Sequence, residues 1–336
     1  MEKLGPNFRF EIKLLEDKIS RLVNELKRKE FDRDLFRDRF ISKGFKIKNL
    51  KPRIKKGISF LSVDSSIVKK ELRHHALWGS HSVVLYSKFD GKEHSDPLAH
   101  GNIWYRDLMY NSYPDLGIFS PYRQIENRMN SIRISNEYSS LLDSWKRLDS
   151  RSLKIDYFLI DGSLQTTLKR LRDEVKFSGF REHEKALKLH GDLMKLGTVI
   201  GMVEDSHSVD LAKKVDLGVT NVALLDLILE ENEYITEKKD GVNICYLKLP
   251  SKTLNYTPSR KSDPLVVRWE FSHDKFEKDL ENLAALWLLE DDIWHPQIYP
   301  LRITDYLTRR LKIAGILDRL IKESGLDLKY REMREG

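Results

Sequence analysis

Two apolar runs in this chain each end on an aspartate set among small residues. They are Gly57-Ile58-Ser59-Phe60-Leu61-Ser62-Val63-Asp64-Ser65-Ser66 and Ile155-Asp156-Tyr157-Phe158-Leu159-Ile160-Asp161-Gly162-Ser163. A buried strand that delivers a carboxylate into a turn offers the oxygen ligand that Mg²⁺ and Mn²⁺ take. Two-metal phosphoryl transfer needs several such groups converging on sites about 4 Å apart. A lone buried carboxylate is expensive, so Asp64 is either hydrogen-bonded in a turn or placed at a sheet edge where it can hold metal. Asp161 repeats the pattern, and Gly162 permits a tight turn before a helix. Ligands of α/β sheets gather at the carboxyl ends of strands, where both aspartates could face one crevice.

Further carboxylates lie between and beyond these strands. A helical pattern carries Glu126, Arg128, Arg133 and Glu137. Arg133 and Glu137 are four apart and share a face, as an ordinary surface ion pair would. Glu137 also borders the apolar stripe of Ile132, Ile134, Tyr138, Leu141 and Leu142 and could point toward the sheet; Glu126, further upstream, is held in reserve. Near the carboxyl end, Trp294-His295-Pro296-Gln297-Ile298-Tyr299-Pro300 leads into a helix with Asp305 about one turn in. Asp305 is either a partner of the helix dipole or a further metal ligand. His295 is either structural, beside Pro296, or a proton-transfer group.

The elements that must position these groups read as an α/β protein. Apolar runs predict strands near 57–64, 82–88, 101–105, 155–161, 198–203, 242–249 and 265–271. Helical periodicity predicts helices near 121–148, 163–176, 182–196, 207–230, 275–290 and 300–323. Strands come first and then alternate with helices, which implies a mixed sheet covered on both faces. Residues 8–43 carry apolar positions at helical spacing, including Ile12, Leu15, Ile19, Leu22 and Leu26, with a break near Phe31. We read residues 1–50 as an amino-terminal helical arm and 51–336 as the main domain. The arm's stripe either packs back on its own domain or pairs with another chain.

Composition narrows the field. Lys plus Arg outnumber Asp plus Glu by 59 to 52 in 336 residues, a net +7 that favours a polyanionic partner. One cysteine excludes an internal disulfide and Cys-based zinc sites; Cys245, in an apolar strand, reads as a small core residue. No run approaches the roughly 18 apolar residues of a spanning helix, and the first residues lack a signal peptide's apolar region, so the expected location is the cytoplasm, with no membrane contact. The chain has no Gly-x-x-x-x-Gly-Lys-Ser/Thr loop, no Gly-x-Gly-x-x-Gly and no Gly-x-Ser-x-Gly, which argues against ATP hydrolysis, dinucleotide binding and serine hydrolase chemistry.

One series of motifs is more specific in its order than in its parts. It runs Val63-Asp64-Ser65-Ser66, Arg133-x-x-x-Glu137, Leu159-Ile160-Asp161-Gly162-Ser163-Leu164, Gly197-Thr198-Val199-Ile200-Gly201-Met202-Val203, Tyr246-Leu247-Lys248-Leu249 and Tyr299-Pro300-Leu301-Arg302-Ile303. From about residue 57 to about 310 this resembles the NurA nucleases of archaea. The resemblance implies a ribonuclease H-like fold, Mn²⁺-dependent 5′ to 3′ exonuclease activity on DNA and single-strand endonuclease activity. It also implies a homodimer acting with the hexameric HerA translocase in the resection of DNA ends for double-strand break repair. Carried onto this chain, it makes Asp64, Glu137 and Asp161 metal ligands, and Asp305 stands where many relatives have histidine. Many relatives have a lysine where this chain has Glu204-Asp205, so no catalytic lysine is assigned there and Asp205 is a reserve ligand.

The expected chemistry is therefore hydrolysis of a phosphodiester in single- or double-stranded DNA, with two Mn²⁺ ions, or Mg²⁺, held by Asp64, Glu137, Asp161 and Asp305. Arg128, Arg133 and Lys248 are candidate phosphate contacts, and Tyr122 and Trp294 candidate stacking platforms, although solvated faces and core packing explain these residues as readily. A competing reading is a DNA-binding adaptor of a translocase whose acidic residues are structural.

Overall fold

The computed structural model describes residues 32–71, 76–91, 105–119, 124–204, 206–254, 257–261, 263–290, 295–310 and 312–323. Among these residues, nine strands form one mixed sheet in the order β1-β7-β8-β11-β6-β5-β2-β3-β4. These are β1 (Lys48–Asn49), β2 (Ile58–Glu71), β3 (Ala76–Phe89), β4 (Tyr105–Phe119), β5 (Tyr157–Asp161), β6 (Val199–Val203), β7 (Glu233–Lys239), β8 (Val242–Leu249) and β11 (Leu265–Phe271), with β9 (Thr253–Leu254) and β10 (Thr257–Lys261) as a separate pair. The central trio β2, β5 and β6 is parallel and the remaining pairings are antiparallel. The helices are α1 (Arg33–Ser42), α2 (Ile125–Asp149), α3 (Leu164–Ser178), α4 (Arg181–Leu193), α5 (Asp210–Lys214), α6 (Asn221–Ile228), α7 (Glu277–Leu289), α8 (Tyr299–Arg310) and α9 (Ile313–Glu323).

Strand alternation divides the core into two layers. Leu61 and Val63 of β2 and Phe158 and Ile160 of β5 pack with Ile134, Tyr138 and Leu141 of α2. Phe60, Tyr157 and Leu159 pack on the other face with Leu283 and Trp287 of α7 and Leu301 of α8. This is the α/β class expected from the sequence, with helices on both faces of a mixed sheet.

Several boundaries differ from expectation: the strand predicted at 82–88 begins at Ala76, and in place of the short strand predicted at 101–105 stands β4, Tyr105–Phe119. The strand predicted to stop at Asp64 runs to Glu71, because Ile67 and Val68 continue a hairpin with β3 instead of turning at the serines. The Gly79 backbone of that hairpin lies under Ile313 and Leu317 of α9, so close that a Cβ there would meet the Ile313 methyl at 2.8 Å. The single helices predicted at 207–230 and 300–323 are each two, the first broken at Asp216, whose φ is +59°. Strand β7 was not anticipated; it reaches β8 through Asp240 and Gly241, both at positive φ as a tight hairpin turn requires.

Of the amino-terminal arm, residues 32–50 are described: helix α1, and strand β1, which pairs with β7 at the edge of the main sheet. Asp32 caps α1 by accepting from Leu35 N at 3.0 Å. Phe40 is fully buried against the main core, and Arg37 clasps Glu233 with two hydrogen bonds of 2.7 Å. Residues 8–31 lie outside the described residues. No described helix is long and apolar enough to cross a membrane.

Candidate metal centre

Asp64 and Asp161 arrive on neighbouring parallel strands. Val63 pairs with Ile160, so the next residue of each strand is an aspartate. Both share the strand face of Phe60 and Leu159, the side covered by α8. β5 ends at Asp161 while β2 continues, and the result is a notch in the sheet beyond the paired residues.

Glu137 comes from the opposite face. It lies on α2, 2% exposed, and accepts from Ser65 Oγ at 2.5 Å and from Arg133 Nη1 at 3.0 Å. Arg133 also donates to Ser65 Oγ at 3.3 Å. Consecutive residues of β2 thus serve opposite faces: Asp64 looks toward α8, and Ser65 holds Glu137. Asp305, on α8, accepts from Arg309 Nε at 2.7 Å. Asp161 Oδ1 accepts from Gln297 Nε2 at 2.7 Å. The α8 helix is seated on β2 by Ser62, whose hydroxyl donates to the Pro300 carbonyl at 2.9 Å and lies 2.7 Å from the Thr304 hydroxyl.

These carboxylates raise one another's pKa. Burial pushes Asp64 up to about 6, against the pull of the Ser65 main-chain N–H, and the charge of Asp305 adds to the rise. Burial lifts Asp161 to about 7, reinforced by Asp64, Glu204 and Asp305. Glu137 also reaches about 7 through burial, with Arg133 opposing and Asp64 and Asp161 assisting. Desolvation and like charges have the same sign here, and a bound cation reverses the second effect.

The donors are all hard oxygens, the set that Mg²⁺ or Mn²⁺ prefers. Among the described residues, however, no three His, Cys, Asp or Glu side chains are grouped to hold a metal ion as they stand. Ser65 and Arg133 on Glu137, Gln297 on Asp161, and Arg309 on Asp305 each hold a carboxylate oxygen. In each carboxylate these bonds fall on one oxygen and leave the other to face a cation.

The other predicted residues go elsewhere. Arg128 is buried, sandwiched 4.7 Å from the ring centres of both Phe119 and Phe180 and bonded to Glu182 at 2.5 Å. It is a structural clamp between α2 and α4, because a guanidinium stacked on two rings and paired with a carboxylate has little left for a phosphate. Lys248 is tied to α6 through the Asp226 carbonyl and carboxylate. Glu126 is an exposed partner of Lys69. His295 is exposed and its carbonyl receives Trp287 Nε1 at 2.8 Å. Among the described contacts, Arg133 is the predicted cation that touches the carboxylate set, through Glu137. Asp205, Tyr122 and Trp294 lie outside the described residues.

Ser65, Gln297 and Glu204 were not among the predicted site residues. Gln297 stands two residues from His295 in the same proline-flanked segment, and nothing in local spacing distinguishes the two. Glu204 follows β6 directly, so its place beside Asp161 follows only from the parallel pairing of β5 and β6.

The family model described as the NurA domain matches residues 58–322. No curated protein matches the chain in sequence. Among solved structures, the NurA nuclease from Sulfolobus solfataricus superposes with a TM-score of 0.56 at 15% identity, covering 96% of this chain and 98% of its own. A structure described as NurA gives 0.52 at 11% identity, covering 87% and 93%. Another, described as NurA with manganese, gives 0.51 at 10%, covering 93% and 98%.

Proposed function

The chain belongs to the NurA family, and from that premise we propose that it is a divalent-metal-dependent deoxyribonuclease whose metal ligands are Asp64, Glu137, Asp161 and Asp305. The observation that carries this reading is the arrival of Asp64 and Asp161 side by side on parallel strands, each with its pKa raised by burial and by neighbouring carboxylates. Such a cluster has no evident value for stability and an obvious one for binding a cation.

Metal held there would supply an activated water and neutralise the leaving oxygen. The four carboxylates orient that metal. Gln297 fixes the Asp161 carboxylate from one side, and Ser65 fixes Glu137 from the other. Arg133, beside Glu137 and 30% exposed, offsets part of the negative field that repels a phosphodiester and can turn a donor toward the phosphate. Manganese is the cofactor of choice, supported by the neighbouring structure described with that metal, with Mg²⁺ as a substitute and two ions as the working number.

Within the same proposal, the finer activities are 5′ to 3′ exonuclease and single-strand endonuclease cleavage, by a cytoplasmic homodimer partnered with the HerA hexamer in DNA end resection. Residues 1–31 are the proposed arm for self-association or HerA docking. Deletion should stop before Asp32, since removing Phe40 would open the core.

A second reading is a catalytically inactive DNA-binding adaptor, and the absence of a ready-made ligand group among the described residues favours it. End-labelled single- and double-stranded DNA incubated with the purified chain in Mn²⁺ or in chelator separates the two. Cleavage only with the metal supports the nuclease; tight DNA binding without cleavage in either condition supports the adaptor.

A further inference from the structure

On the α2 face of the sheet, at the edge where β5 and β6 end, lies a cavity of about 450 Å³ that the carboxylate site does not use. Its floor is Ile244 and Tyr246 of β8, and its walls come from the first turns of α3 and from the segment that follows β6. Both walls begin within a few residues of the carboxylate site, since α3 starts after Asp161-Gly162-Ser163 and the second wall follows Glu204. The volume falls in the usual range for a small-ligand pocket and suits a single nucleotide unit.

The charges around it are unevenly paired. Lys239 is held by Asp210 and Glu237. Arg268 is 4% exposed and joined to the fully buried Glu270 at 2.5 Å, and its Nη1 reaches Ser208 Oγ at 3.3 Å. The buried Arg268 Nε–H has no acceptor among the described residues. Lys169, exposed on the α3 wall, makes no ion pair among them either. An unfilled donor on a buried arginine is costly, and here it belongs to a residue lining a cavity that also carries an unpaired ammonium and a serine hydroxyl. Phosphate oxygens match that donor set in charge and hydrogen-bonding type.

We propose that this cavity is a nucleotide-phosphate subsite, filled by a nucleotide near the cleaved bond of the DNA strand or by the mononucleotide released from it. The identity of the ligand rests on the nuclease reading; the cavity and its donors do not. Lys169 supplies the exposed charge that captures the phosphate, and Arg268, in the cavity wall, the buried positive charge behind it.

The test measures binding of deoxyadenosine monophosphate and of a short single-stranded oligonucleotide in chelator, where the carboxylate site repels both. It compares the wild type with Lys169→Glu and Lys169→Arg, both at an exposed position that leaves the fold intact. Lys169→Glu should weaken the mononucleotide about tenfold, Lys169→Arg should bind within about twofold of wild type, and inorganic phosphate should compete. Loss for both ligands identifies the strand as occupant, and loss for the mononucleotide alone identifies the product. Unchanged affinity for both in Lys169→Glu, or no binding by the wild type, overturns the subsite. Metal-dependent cleavage is assayed separately: Lys169-dependent binding without cleavage keeps the subsite and removes the nuclease, and cleavage without such binding does the reverse.

Discussion

Gln297 Nε2 donates to Asp161 Oδ1 at 2.7 Å, so a residue of the segment before α8 fixes the carboxylate at the end of β5. The contact ties the segment before α8 to the central parallel strands across the candidate metal centre. A donor of this kind sets which carboxylate oxygen is free to bind metal, and removing it typically costs about 10–100-fold in metal affinity or activity. Gln297→Ala should raise the Mn²⁺ concentration for half-maximal cleavage by about tenfold while leaving KM for DNA nearly unchanged. A shift in KM with an unchanged metal requirement would assign Gln297 to DNA contact instead.

The pKa shifts predict an unusual stability profile in chelator. The Asp161 carboxyl is raised to about 7 by burial and neighbouring carboxylates. A raised carboxyl favours folding where it is protonated, and that favour is lost as pH rises from the unfolded value near 4 through about 7. Asp161→Asn should therefore be more stable than wild type at pH 8 without metal, by roughly 2 °C or more in Tm, and the gap should narrow toward pH 5 and close only below about pH 4. Saturating Mn²⁺ should reverse the order at pH 8. A variant less stable than wild type at pH 8 in chelator would contradict the electrostatic reading.

Arg128 separates structural cations from DNA-binding ones. Its guanidinium lies between Phe119 and Phe180 and pairs with Glu182, so Arg128→Ala should cost on the order of 2–4 kcal/mol of stability. DNA affinity measured where the variant is folded should stay within twofold of wild type. Chemical denaturation beside anisotropy with labelled DNA reads both quantities.

Gly201 controls the spacing at the site. It pairs with Ile160 on β5, and a Cβ there would lie 2.6 Å from the Gly162 carbonyl oxygen, immediately after Asp161. Gly201→Ala should cost about 1–3 kcal/mol through overpacking and should displace the turn that carries Asp161. Cleavage should fall by more than tenfold in a variant whose far-UV circular dichroism is unchanged. Wild-type activity would show that the turn tolerates the shift.

Much of this arrangement was legible in the residues. Tyr157-Phe158-Leu159-Ile160-Asp161 reads as a buried strand because its apolar run is short and bounded by turns, and the strand is found at those residues. The shared crevice of Asp64 and Asp161 followed from the rule that α/β sites form at strand ends, although Asp64 proves to lie within a longer strand whose polar second half resembles a turn. Arg128 was misread because charge alone does not reveal burial; its two aromatic neighbours are distant in sequence. Gln297, Ser65 and Glu204 were missed for the same reason: each gains its role from a partner placed by sheet pairing or helix packing, which local spacing does not encode.

The central claim is that the neighbouring aspartates hold a metal used to cut DNA, and the most direct measurement is the rate of Mn²⁺-dependent cleavage of end-labelled single-stranded DNA by wild type and by Asp161→Asn, with folding of the variant verified in chelator. Cleavage by the wild type that disappears without Mn²⁺ and falls by at least about a thousandfold in the variant is the predicted result, a loss of about 4 kcal/mol of transition-state stabilisation. Cleavage that survives the substitution would mean that the catalytic carboxylates lie elsewhere in the chain.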